Sequence, residues 1–191
     1  GIETLKTWIN TTLGESLEER EDDQQHEKLI SRRIRYECEV PLNVLVLTAG
    51  VDVQDDRLEV EVVGWGLNDV TWGISYKIFY GDPGQSAVWN QLDAFLQKEF
   101  IRNDGVRLII SSVCVDSGGH FTSEVYDFCK EREHRRVFAI KGRGGNGVPF
   151  INKPSKVGRQ NVHLFTLGVN EGKDIIYANL RKELEDKHGY C

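Results

Sequence analysis

The sequence predicts an α/β fold: a mixed β-sheet that begins as an antiparallel three-strand meander, continues with parallel strands and is flanked by helices. Three observations carry this. Residues 44–80 hold three strand patterns separated only by short turns, which forces antiparallel neighbours. From Ser86 onward helical and strand periodicities alternate, as they do where crossovers build a parallel sheet. Two runs, 44–53 and 106–115, are apolar almost throughout, the mark of central strands buried on both faces.

Each element can be justified in order. Val44 to Val53 is the first buried strand, closed by a turn at Gln54-Asp55-Asp56. Arg57 to Trp65 alternates, with Leu58, Val60 and Val62 on one face and Glu59 and Glu61 on the other. After a turn at Gly66–Asp69, Val70, Trp72, Ile74, Tyr76, Ile78 and Tyr80 alternate in a third strand. Ser86 to Phe100 places Val88, Leu92, Phe95 and Leu96 at helical spacing. Val106 to Val115 follows as a strand, expected to lie parallel to and beside the first through a right-handed crossover. Phe121 to Arg132 is a helix with Val125, Phe128 and Cys129 inward, and Val137 to Ile140 is a short strand. Gly142 to Gly158 is a basic loop with Gly and Pro; its glycines lack the G-K-[ST] ending of a P-loop. Val162 to Leu167 is a strand, and Asn170 to Leu184 a helix with Ile176, Leu180 and Leu184 on one stripe.

Composition bounds the class. The 191 residues, 39% hydrophobic and 28% charged, suit a globular domain with a core of its own. There is no Met and the chain opens on Gly1, so it reads as a fragment of a larger protein. Residues 1–40 read as a linker or arm: Leu5 to Asn10 forms a short helix, and Glu15 to Lys28 is charged without an apolar stripe. Residues 41–191 form the domain proper. No apolar run approaches the ~18 residues of a membrane span, and no signal-peptide pattern is present. The 4 Cys show no C-x-x-C spacing, which favours reduced thiols over disulfides or zinc. The net charge of −6 argues against nucleic-acid binding in general, but Lys130 to Arg159 carries nine basic residues against Glu131 and Glu133. A basic face of this kind suits phosphate contacts; a solvated loop has the same composition.

Two acids interrupt the apolar pattern. Asp52 closes the first buried strand and Asp116 the second. If the strands are parallel, both carboxylates emerge at one end of the sheet, where open α/β sheets bind ligands. Converging carboxylates repel unless a cation lies between them, and carboxylate oxygens suit Mg²⁺ or Mn²⁺. A two-ion site for phosphodiester cleavage needs a third acid. Asp174 is the best candidate, with Asn170 and Glu171 as rivals. Each acid also has a structural reading: turn residues at Asp52 and Asp116, and a helix-dipole partner at Asp174. Gly118-Gly119 allow a sharp turn after Asp116; His120 then starts a helix, donates a hydrogen bond that supports the acids, or contacts DNA.

This order of elements, with its acids, resembles the ribonuclease H-like fold. More specifically, Leu5–Glu15, Leu47–Glu59, Val115–Gly118 with Glu124–Phe128, Val137–Gly142 and Gly172–Tyr177 resemble the large terminase subunit of lambda-type tailed bacteriophages. The resemblance implies the linker and nuclease of a protein whose preceding ATPase motor drives DNA into the capsid while the nuclease cuts the concatemer. It implies Asp52, Asp116 and Asp174 as catalytic, metal-holding acids for two divalent ions, Mg²⁺ or Mn²⁺. The family often has Asp at the position of Asn170, which keeps that position open as the third ligand.

The function expected is therefore metal-dependent endonucleolytic cutting of double-stranded DNA during viral genome packaging, with Lys141, Arg143 and Lys153 holding phosphates. The implied partners are DNA, the motor domain, a small terminase subunit and the capsid portal, in the cytoplasm of the infected bacterium and without a membrane. The competing readings are a DNA- or portal-docking module that does not cut, and a resolvase-like nuclease.

Overall fold

A computed structural model describes Ile30 and residues 35–181. The expectations for Leu5–Asn10, Glu15–Lys28 and Leu184 lie outside the described residues. The described residues from Tyr36 onward belong to one compact unit, and its fold is as follows. Three strands open it: β1 (Val46–Val53), β2 (Arg57–Trp65) and β3 (Thr71–Tyr80). Helix α1 (Ser86–Leu96) follows, then the short β4 (Phe100–Ile101) and β5 (Arg107–Leu108). Next come β6 (Ile110–Asp116), α2 (Thr122–Arg132) and β7 (Val137–Arg143). The described chain ends with β8 (Ser155–Val157), β9 (Val162–Gly168) and α3 (Val169–Arg181).

Seven strands form one sheet in the order β3-β2-β1-β6-β7-β9-β8. The meander is antiparallel, β1, β6, β7 and β9 run parallel, and β8 returns antiparallel on the edge. This is the mixed α/β sheet expected, consistent with a ribonuclease H-like fold, and β6 lies parallel beside β1 as the crossover argument requires.

Several elements differ from their sequence reading. The run 106–115 is not one strand. Its first residues pair with β4 in a separate two-stranded sheet, and only Ile110 onward joins β1, with a register shift at Leu47/Thr48. Part of the basic loop is strand β8, and β7 continues to Arg143. In the third strand the stripe Val70 to Tyr80 is broken. A bulge opposite Val62/Val63 shifts the register, so Trp72 and Ile74 pack on the core early in the strand and Phe79 late, while Tyr76 and Tyr80 are exposed; one extra residue reverses which side chains face inward. On α3, Ile176 is exposed rather than inward.

The most consequential difference concerns β1 and β6. Both alternate rather than being buried on two faces: Leu47, Ala49, Val51, Val113 and Val115 are buried, while Gly50 and Asp52 are exposed and Cys114 and Asp116 half-buried. Burial comes from one side. The stripe Val88, Trp89, Leu92 and Leu96 of α1 and the residues Val125, Phe128 and Cys129 of α2 cover a single sheet face in one apolar cluster. Trp89 and Phe128 stack at 4.9 Å, and Asp93 of α1 accepts hydrogen bonds from Arg132 and Arg135 beyond it. Val40 is fully buried in the same cluster and bridges Arg102.

Candidate active site on the open sheet face

The site grows from strand register. Parallel pairing matches Val51 with Val115, so Asp52 and Asp116 stand one residue further along neighbouring strands. In a pleated sheet they project to the side opposite the buried valines, which is the open face. Antiparallel pairing places Glu59 directly across from Asp52 and Glu61 across from Gly50. A shallow depression of 380 Å³ is lined by Gly50, Asp52, Glu59, Glu61, Tyr76, Cys114 and Ile140, among others. A larger hollow of 460 Å³ lies by the amino ends of β6 and β7, lined by Leu96, Ile109, His134 and Arg136, and contains no carboxylate.

Each acid is held differently. Gln54 Nε2 donates to the Asp52 carboxylate. The Gly118 N–H donates to Asp116 Oδ1 at 2.9 Å. A Cβ at position 118 would sit 3.2 Å from that oxygen, so glycine lets the turn fold back on the acid without displacing it. Ser117, 1% exposed, anchors the same turn: its N–H and its hydroxyl both donate to Ile140 O, at 2.9 and 2.8 Å. The Tyr76 hydroxyl and then the Arg57 guanidinium hold the Glu59 carboxyl below the usual range. Glu59 is therefore ionised beside Asp52 at neutral pH, and three carboxylates occupy adjacent strands.

Sequence reasoning placed Glu59 and Glu61 on the polar face of their strand without linking them to Asp52. Counting outward from a Gln54–Asp56 turn pairs residue 53 with 57 and 52 with 58; the ladder is instead centred on Asp55-Asp56, which pairs 53 with 58 and 52 with 59. Asp174 stands exposed on α3, past the first turn, whose acid is Glu171. Among the described residues no group of three or more His, Cys, Asp or Glu side chains is placed to hold a metal ion. The register thus sets Asp52 and Asp116 on neighbouring strands, and Asp174 lies on α3.

A family model described as the terminase large subunit gpA, endonuclease domain, matches residues 2–191. The chain belongs to that family. It is similar to the terminase large subunit of Enterobacteria phage P21, 34% identical over 180 residues, and to that of Escherichia phage lambda, 35% identical over 173 residues. These alignments take in 94% and 90% of this chain but only 28% and 27% of the two phage proteins. The chain therefore spans little more than a quarter of the relatives it matches. No solved structure matches it.

In this gpA endonuclease domain the basic segment divides in two. Lys130 bonds Glu133, Arg132 bonds Asp93 and Glu131, and Arg135 bonds Asp93. These cations hold α2 in place and leave little charge for a ligand. Lys141, Arg143 and Lys153 are exposed and make no ion pair with the described residues. Lys141 and Arg143 share the β7 face of Val137 and Ala139, whereas Ile140 lies on the carboxylate side. By register, then, two of the three expected phosphate contacts project from the sheet face opposite Asp52 and Asp116.

Proposed function

We propose that this domain is a metal-dependent endonuclease that cuts double-stranded DNA at the carboxyl ends of β1 and β6. The observation that carries this reading is the Asp52–Asp116 pair on adjacent parallel strands in a chain of the gpA endonuclease family. Two carboxylates and water fit one hard cation of the magnesium class, which characteristically keeps several waters. Asp52 and Asp116 would hold that ion, Mg²⁺ or Mn²⁺, and Asp174, with Asn170 and Glu171 as neighbours, is the proposed source of further ligands for a second. Such ions supply charge that lowers the cost of activating water and of releasing the 3′ oxygen.

The protein's own contribution is placement. Gly118 fixes the Asp116 carboxylate, Gln54 fixes that of Asp52, and the open face leaves both accessible to a broad substrate. Lys153, with Lys141 and Arg143 at the carboxyl end of β7, would bind phosphates that flank the cut and give a salt-dependent grip. In the whole protein we place this domain after an ATPase motor, working with a small terminase subunit and the capsid portal on concatemeric DNA in the cytoplasm of the infected cell.

Supercoiled-plasmid cleavage tests the reading. Nicking and linearisation are expected in Mn²⁺ or Mg²⁺, and neither with EDTA nor from Asp52→Ala. A folded wild-type chain that cuts in no metal, or an Asp52→Ala chain that cuts at the wild-type rate, overturns it.

A further inference from the structure

We propose that His120 contacts the DNA strand being cut, donating Nε2–H to a non-bridging phosphate oxygen, and that Asp55 positions it. The inference rests on the nuclease reading above and adds a residue to it. Asp55 sits in the β1–β2 turn, three residues past Asp52, and His120 in the β6–α2 loop, four past Asp116. Because β1 and β6 are neighbouring parallel strands, both loops leave the sheet at the carboxylate end. There His120 Nδ1 lies 3.0 Å from Asp55 Oδ1, across 65 residues of sequence.

Folding does not account for this pair. The two side chains are 84% and 78% exposed, and exposed ion pairs contribute little to stability. The backbone beneath His120, by contrast, is firmly built. Ser117 is pinned to Ile140 as described, and the Thr122 hydroxyl lies 3.0 Å from both Ser117 O and Gly119 O. Gly119 rests against the end of β1, where an added Cβ would lie 3.6 Å from Val53 O. An exposed imidazole on a fixed loop, oriented by a carboxylate and set at the strand ends that carry two acids, is suited to an external ligand.

An anion fits the charged form of this ring: an imidazolium that gives Nδ1–H to Asp55 has Nε2–H left to donate, so between a carboxylate and a phosphate it donates one N–H to each. Arg57, the nearby cation on β2, is already bonded to Asp56 and Glu59. Lys141 and Arg143 project from the opposite face. His120 thus provides a donor to phosphate at the strand ends that carry Asp52 and Asp116.

Two readouts test this: the Kd for a short fluorescein-labelled duplex in Ca²⁺, and kcat/KM for duplex cleavage in Mn²⁺. His120→Ala is expected to weaken both by about tenfold or more, the range of a lost hydrogen bond to a charged group, with an unchanged melting temperature. Asp55→Asn keeps an acceptor for Nδ1–H and should retain most of the wild-type value; Asp55→Ala should not. Wild-type Kd and kcat/KM in His120→Ala overturn the proposal even if Asp52→Ala is dead. A wild-type chain that binds duplex but never cuts sinks the nuclease reading instead, and the Kd comparison still decides His120.

Discussion

Replacing Asp52 by Asn should abolish cleavage while leaving the fold as stable as before, or more so. The register supplies the reason. Asp52 faces Glu59 on one side and neighbours Asp116 on the other, and Tyr76 and Arg57 keep Glu59 ionised. Like charges directly across a sheet are destabilising by roughly the few tenths to 1 kcal/mol that opposite charges gain. In a domain of this size 1 kcal/mol corresponds to about 2–4 °C of melting temperature. Without metal, Asp52→Asn should therefore melt at the wild-type temperature or up to ~3 °C above it. Added Mn²⁺ should reverse the order, because only the wild type gains from binding an ion between its carboxylates. The assay is thermal unfolding by circular dichroism with EDTA and across a Mn²⁺ series, paired with plasmid cleavage. A variant that melts several degrees lower in EDTA would show that Asp52 is a structural acid. Equal Mn²⁺ shifts in both proteins would show that the ion binds elsewhere. Either result refutes the reasoning.

Two further outcomes follow from the charged groups outside the site. Asp93 ties α1 to the end of α2: burial alone would raise its carboxyl, but Arg132 and Arg135 outweigh this and hold it below the usual range. Asp93→Ala takes the carboxylate from Arg135 and leaves Arg132 with the Glu131 carboxylate alone, and should cost about 2 kcal/mol in urea unfolding, between the values for exposed and buried pairs. Since the folded carboxyl titrates lower than the unfolded one, its contribution is complete above the ordinary value of 3.8 and is lost as pH falls through the lower, folded value. Wild-type stability in Asp93→Ala would contradict the clasp. Arg143→Ala and Lys153→Ala should weaken duplex binding without regard to sequence, each reducing the slope of log Kd against log salt by about 1. Unchanged slopes would remove these residues from the DNA path.

Much of the fold was legible because periodicity and turn length are local properties. The meander, α1, α2 and the parallel placement of β6 beside β1 all follow from residues 44–132 read in order. What stayed hidden depends on what lies across the sheet. Val44 to Val53 reads as buried on both sides because Gly50 and Thr48 do not interrupt an apolar run, yet among the described residues α1 and α2 cover one face and leave the other open. The bulge opposite Val62/Val63 reverses the inward face of β3; Gly73 stands beside the extra residue Ile74, but a lone Gly does not say where a register will slip. β8 is only three residues long and stands on the edge, held by pairing with β9, so its own sequence says little.

The candidate site divides in the same way. Asp52 and Asp116 could be picked out from the sequence alone, because an acid ending an apolar strand is costly unless it has a purpose. The basic segment could be seen too, but not its division. Arg132 and Arg135 look as available as Arg143 until α1 brings Asp93 against them. Sequence by itself determined the kinds of element, their order and the residue types able to hold a cation or a phosphate, since these rest on side-chain chemistry and short-range geometry. Only the tertiary structure decided which charges cancel, that Glu59 stands against Asp52, and that Asp55 reaches His120. Those facts depend on register and on contacts between distant segments, and no periodicity within one segment encodes them.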